Sequence, residues 1–519
     1  MSTSEEQEYS IVAVDRFIQA TRDSGYKGTT SAVAELIDNS IQAGATKISV
    51  SLTIDEDEDE YPIILRIVDN GCGMDSRTLR TALRFGGSTR FNDRSGLGRY
   101  GMGLPNSSLS QAQRLTVHTW STKEGRVLTS YLDLDEIASG GMTEVPKPRR
   151  VSRPLFINGY DSGTAVTLTR CDRLDNRRIS TIARKLLLAL GRRFRYFIWN
   201  GVSISVNEIP VEAIDPLYLH PQAMYSGATL FAGEMVYEIA ANPLDPSATG
   251  IVRVRFSELP ADEWSKLSNS EKRVRGITKG AGVSIVRSGR EVDYGWFFLG
   301  GKRRENYDDW WRCEVEFDPV LDEAFGITHT KQQIRPQPHL VEALSADMES
   351  TARVLNSRAR KAHLRAKIAE RFTVSEDRAS SKDDMLTPLP PTPRLRDKQV
   401  LGALGKMVSG APTSEENTSG STRYRILPTP LSETVFFNYA RDKGRLVLVI
   451  NPEHPFFKVV YKPLLESDDP RDVALRSQID LLLLAAARTE ALLEDGDVLQ
   501  FAERIRNGWS DTLATFLNG

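Results

Sequence analysis

A chain of 519 residues, 40% hydrophobic and 26% charged, is long enough for two to four domains and has the composition of an ordinary globular protein. Its formal net charge of −2 excludes a globally basic binder of nucleic acid or anionic membrane, so any basic patch must be local. Three widely spaced cysteines, Cys72, Cys171 and Cys313, give neither a disulfide framework nor zinc spacing and point to a reducing cytoplasm. The N-terminus, MSTSEEQEYS, lacks signal-peptide character, and the apolar run at 481–487 is too short to span a bilayer, so no membrane partner is expected.

In chain order, residues 9–24 pattern as a helix with Ile11, Val14, Phe17 and Ile18 on one side. A second helix is expected over 31–43, ended by Gly44. On it, Glu35 and Asn39 lie one turn apart on one face. A carboxylate can take a proton and a carboxamide oxygen is a hard metal ligand, so the pair suits water activation and Mg²⁺ ligation; a solvated helix face has the same spacing. Residues 47–54 and 62–68 read as strands joined by an acidic hairpin tip, DEDEDE. The second strand ends in Asp69-Asn70-Gly71-Cys72-Gly73-Met74. Its carboxylate can accept the exocyclic amine of an adenine, with glycines letting the base approach backbone; a plain strand-closing turn reads alike.

A Gly-punctuated stretch follows, with Gly98, Gly101 and Gly103 ahead of a helix expected at 105–113. Bare N–H groups at a helix start suit a polyphosphate, although such loops also occur as simple connections. Strands are expected at 114–121, 126–133 and 164–170, with a Pro/Arg-rich hairpin near 144–154. The Thr164 hydroxyl suits a base or its bound water.

Four motifs thus stand in one order: Glu35-x-x-x-Asn39, Asp69-x-Gly71-x-Gly73, Gly98-x-x-Gly101-x-Gly103 and Gly163-Thr164. Together they resemble the GHKL superfamily, which includes gyrase B, heat-shock chaperones, histidine kinases and MutL. The resemblance implies an α+β protein whose residues 1–175 form a Bergerat ATP-binding fold, an α/β two-layer sandwich, with ATP and Mg²⁺ as ligands. It implies Glu35 as general base, Asn39 as the Mg²⁺ ligand, and Asp69, Gly71, Gly73 and Met74 on the adenine side, supported by Thr164. Residues 84–103 would be a lid whose Gly98, Gly101, Met102 and Gly103 backbone meets the phosphates. Asp38 matches a position that is commonly acidic. The glutamate argues for hydrolysis rather than phosphotransfer.

After a basic helix at 177–195, YFIWNGVSISVN reads as strand, Asn-Gly turn and strand. A strand and turn at 282–290, a strand at 311–317 and a loop carrying Lys331 follow. This region, 176–340, resembles the ribosomal-S5-like transducer domain of microrchidia ATPases and MutL. The resemblance implies Lys331 as a catalytic lysine on the γ-phosphate; a surface-loop lysine is the plain alternative. Residues 341–372 read as a helix and 373–422, rich in Ser, Pro, Asp and Gly, as a flexible linker. Residues 423–519 read as a small α/β domain with strands at 433–438, 444–450 and 456–461 and helices at 469–494 and 496–517; His454 in it reads as structural. The expectation is an ATP-gated switch that forms an ATP-dependent homodimer and acts on DNA. A chaperone-like ATPase with a protein client, or a nucleotide-gated scaffold with little hydrolysis, is the alternative.

Overall fold

The computed structural model describes residues 14–518 except 27, 88–102, 122–125, 328–332, 392, 405–422, 432–433, 443 and 494–495. Gly98, Gly101, Met102 and Lys331 lie outside the described residues. The chain divides into two compact units, Met1–Ala359 and Arg360–Gly519.

The first unit begins with a helix described over Val14–Ser24, followed by a helix at Thr29–Gln42. The second helix has no side-chain cap of its own. Asp175 supplies one from a distance: its carboxylate accepts the Thr29 N–H at 3.2 Å, and its own N–H donates to Thr29 Oγ1 at 3.0 Å. A negative group there also complements the positive end of the helix dipole. Strands β1 (Lys47–Ile54) and β2 (Ile63–Asp69) form the expected antiparallel hairpin, with Ile48 opposite Asp69 and Ile54 opposite Ile63. Ile48, Val50 and Leu52 are buried, whereas Ile54 is exposed beside the acidic tip.

Strands β3 (Arg114–Trp120), β4 (Val127–Asp133), β5 (Arg149–Val151) and β6 (Gly163–Thr169) continue this sheet. So do β7 (Ser203–Val206) and β8 (Ile209–Pro210), giving the order β5-β4-β3-β6-β2-β1-β7-β8, with only β1 and β7 parallel among its pairs. The sheet therefore extends past residue 175. Val33, Leu36 and Ile37 of the Thr29–Gln42 helix, Leu109 of a Gly103–Leu109 helix, and Leu186 and Leu190 of an Ile179–Arg193 helix pack on one face of the sheet. Each such buried aliphatic contributes roughly 1.5–3 kcal/mol of transfer free energy. This helical layer on a large mixed sheet matches the layers expected of a Bergerat fold. On the other side Val68, Trp120, Val127 and Ala165 form a smaller cluster with Ile157.

The hairpin expected from YFIWNGVSISVN is corrected. Arg195–Trp199 is a short helix, and only Ser203–Val206 is a strand. Arg195 is fully buried, with its guanidinium on Glu291 and Glu314. Those partners lie about a hundred residues away in sequence and hold the segment helical against its aromatic, strand-like composition.

A second sheet has the order β12-β11-β13-β10-β9, from β9 (Thr229–Asn242), β10 (Asp245–Glu258), β11 (Val283–Arg287), β12 (Arg290–Gly295) and β13 (Trp311–Phe317). A helix spanning Pro338–Ser380 puts Leu340, Leu344, Met348, Ala352 and Leu355 into its core, the spacing of one helix face.

In the second unit β14 (Tyr424–Pro428), β16 (Arg445–Ile450) and β15 (Phe437–Asp442) form a three-stranded sheet in that order, packed by helices at Pro470–Leu492 and Asp497–Leu517. The strand expected at 456–461 is helical, because Phe457 and Tyr461, four apart, both point into the core. The flexible linker expected at 373–422 is also corrected over its described part. Helix continues to Ser380 and resumes at Leu395–Leu404. Ser375 is buried and donates to Asp480 at 2.7 Å, and Asp383 is buried against Arg488 at 2.9 Å. These polar residues gave a linker-like composition but are paired inside the core. His454 is buried, its Nδ1 accepting from the Phe456 N–H at 3.2 Å, a structural role as expected. Among the described residues no helix is long and apolar enough to cross a membrane.

Candidate functional site

Glu35 and Asn39 stand one turn apart on the Thr29–Gln42 helix, as the spacing requires. Glu35 is only 4% exposed. The Tyr26 hydroxyl donates to its carboxylate, and burial, then the Glu35 charge, push the Tyr26 pKa far above that of an ordinary phenol. The start of the Gly103–Leu109 helix lies against the same carboxylate: a Cβ on Gly103 would sit 2.5 Å from Glu35 Oε1. A side chain at this position would displace the Glu35 carboxylate. Asn39 is half-buried, and its Nδ2 has no hydrogen-bond partner among the described residues.

Asp69 closes β2, next to this helix, and is 4% exposed. Ser40, the residue after Asn39, donates to Asp69 Oδ2 at 2.9 Å and so ties the helix to the strand end. Asp69 Oδ1 accepts the Gly71 N–H at 2.9 Å and the Thr164 N–H at 3.2 Å. Burial raises the Asp69 pKa above the ordinary aspartate value; the Gly71, Ser40 and Thr164 donors act in the opposite sense without cancelling it. A carboxylate has about four acceptor positions, so Oδ2 keeps room for one more donor. Gly73 has φ +69°, and a Cβ there would lie 2.2 Å from the Trp120 carbonyl oxygen. The turn can therefore be made only by glycine at this point.

Glu35, Asn39, Asp69, Gly71, Gly73, Met74, Gly103 and Thr164 are thus held around one junction of helix and strand ends. Two details differ from the sequence reading. Thr164 serves Asp69 through its backbone N–H. Besides Ser40, a buried hydroxyl at the site belongs to Thr119, which accepts the Met74 N–H at 2.8 Å and donates to the Gly163 carbonyl at 3.1 Å. Thr119 sits inside an ordinary strand pattern, and only the β3–β6 pairing, with Thr119 opposite Thr164, places it here. Arg290, from the second sheet, was also missed. Its Nε meets both carboxylate oxygens of Asp38 at 2.9 and 2.8 Å.

Residues 26–164 match the profile of the family described as histidine kinase-, DNA gyrase B- and HSP90-like ATPases. The DNA mismatch repair protein MutL of Rhizobium meliloti (strain 1021) is 26% identical over 198 residues, covering 36% of this chain and 30% of that protein. MutL of Allorhizobium ampelinum is 38% identical over 194 residues, 36% of this chain and 29% of the relative. The protein MICRORCHIDIA 6 of Arabidopsis thaliana is 31% identical over 141 residues, 23% of this chain and 21% of the relative. The matched part is less than a third of the length of each of these relatives. The domain at residues 26–164, which carries Glu35, Asn39 and Asp69, thus matches the GHKL ATPase superfamily and is similar to the ATPase parts of MutL and microrchidia proteins.

Proposed function

We propose that the chain is an Mg²⁺-dependent ATP hydrolase whose nucleotide cycle drives a conformational switch acting on DNA. The observation that carries this reading is the meeting of Glu35, Asn39 and Asp69 at one junction, with Gly73 and Gly103 clearing backbone on either side. Asp69 accepts the adenine amine at the free position of Oδ2, and Gly71, Gly73 and Met74 line the turn beneath the base. The donor set fits Mg²⁺: Asn39 would hold the ion through its carboxamide oxygen, since its nitrogen is uncommitted among the described residues. The ion supplies positive charge at the phosphate oxygens. Glu35 takes the proton of the attacking water at its carboxylate, oriented by the Tyr26 hydroxyl. By the same resemblance Gly98, Gly101 and Met102 give lid backbone to the phosphates, Thr164 supports the adenine side, and Lys331 reaches the terminal phosphate.

The DNA assignment is supported by the MutL relatives, which are named as DNA mismatch repair proteins, and by exposed Arg177 and Arg178 before the Ile179–Arg193 helix and exposed Arg184 and Lys185 in its first half. The switch operates as an ATP-dependent homodimer through the ATP-binding domains. Replacing Glu35 by Ala is expected to lower ATP turnover by about 10²–10⁴-fold while binding of a non-hydrolysable analogue persists. Turnover equal to wild type would remove Glu35 as the base. Light scattering with that analogue is expected to show the mass doubling, and an unchanged mass removes the dimeric switch. DNA binding should weaken steeply with salt as counterions are released.

A further inference from the structure

The hairpin of β11 and β12 turns at Ser288 and Gly289, both with positive φ, 49° and 75°. This is the tight turn whose twist matches the strands it joins, so the residue after it is placed rigidly. That residue is Arg290. Its guanidinium crosses to the Thr29–Gln42 helix and meets Asp38 at 2.9 and 2.8 Å. Asp38 is 0% and Arg290 3% exposed. The next residue, Glu291, turns to the Ile179–Arg193 helix and its continuation, accepting from Arg192 at 2.8 Å and Arg195 at 3.3 Å, and also accepts from Ser284 of β11 at 2.6 Å. Two consecutive residues of the second sheet therefore hold two separate helices of the first layer.

Asp38 lies between Glu35 and Asn39 on its helix, directly before the proposed Mg²⁺ ligand. Its side chain is committed to Arg290, 252 positions further along the chain, which ties this turn of the helix to the second sheet. The pair also settles the charge of the site. An uncompensated Asp38 would add a second carboxylate near Glu35 where phosphate must bind.

On the reading of the site as an ATPase, we infer that Arg290 is a positioning residue for hydrolysis. It touches no reacting atom but, through Asp38, fixes the helix that carries Glu35 and Asn39. The second sheet is then a working part of the hydrolytic site through its own buried arginine, independently of Lys331.

The test is steady-state ATP turnover of the full chain with Arg290→Gln, Arg290→Lys, Asp38→Asn and the double variant Asp38→Asn/Arg290→Gln, each checked for folding by circular dichroism and melting. Arg290→Gln is expected to lower kcat by about 10–100-fold, the range for groups that orient a functional side chain, with KM for ATP shifted no more than about threefold. Arg290→Lys should recover part of the loss, since it restores the charge without the planar fork. The double variant strands no charge, so it decides the matter if Arg290→Gln fails to fold. Its kcat should fall no further than that of either single variant. A double variant turning over like wild type, additive losses, or an effect confined to KM would each overturn the inference. If the wild-type chain neither binds nor hydrolyses Mg²⁺–ATP, the ATPase reading itself fails; if it does and these variants match it, only the role of Arg290 fails.

Discussion

Two buried polar clusters in the first unit invite comparison. One surrounds Glu314, which is 0% exposed and accepts from Arg195, Arg255 and the Tyr196 hydroxyl, the last at 2.7 Å. The other surrounds Asp69 and Asn39. Both take polar groups out of water, yet the protein answers the cost differently. Around Glu314 the partners are charged, numerous and internal. Around Asp69 the donors are two backbone N–H groups and one hydroxyl, and an acceptor position and a carboxamide nitrogen are left over. Burial alone does not distinguish a site from a structural network. What distinguishes them is the charge of the donors: two guanidiniums meet the Glu314 carboxylate, whereas the groups that donate to Asp69 carry no charge.

The most damaging way to probe this contrast is to break the charged cluster. Burial pushes the Glu314 pKa up, but Arg195 and Arg255 outweigh it and hold the carboxyl below its ordinary value of 4.5. A depressed carboxyl stabilises the fold above its unfolded pKa, and that contribution is lost as pH falls through the folded one. Glu314→Gln leaves Arg195 buried without its principal partner and should cost about 3–5 kcal/mol in denaturant melts at neutral pH. The difference from wild type should shrink on acidification below about pH 4.5, where an ordinary unfolded glutamate takes up its proton. A melt unchanged at pH 7 would show that the cluster is not a stabilising network.

The cluster without cationic donors should answer to backbone before charge. Gly73→Ala places a Cβ 2.2 Å from the Trp120 carbonyl at a φ of +69°. It should cost about 1–3 kcal/mol of stability from the backbone strain alone and weaken ATP-analogue binding in calorimetry. Wild-type affinity in this variant would mean that the turn does not border the nucleotide.

The mildest probe is Ser40→Ala, which removes one of the donors to Asp69 at about 1 kcal/mol. Asp69 is already raised by burial, and the lost donor raises it further. On the proposed reading nucleotide binding needs the ionised carboxylate, so affinity should fall on acidification at a higher pH than in wild type, by up to about one pH unit. Coincident pH profiles for the two proteins would remove Asp69 as the group that controls binding.

What the sequence determined by itself is what short range can encode. Alternation over eight residues gave the β1–β2 hairpin, and four-residue spacing placed Glu35 and Asn39 on one helix face. A carboxylate between a strand and two glycines marked Asp69. In each case the signal and the structure occupy the same dozen residues. Tertiary structure decided the rest. Thr119 came to hold the Met74 N–H through strand pairing, Arg195 became helical because of Glu291 and Glu314, and Arg290 reached Asp38 across 252 positions. The Ser- and Asp-rich stretch after residue 372 looked like linker because composition cannot show that Asp383 will meet Arg488. Propensity and periodicity are sums over neighbours in the chain, whereas a buried charge is stabilised by whichever opposite charge the fold brings to it, and that partner leaves no mark nearby.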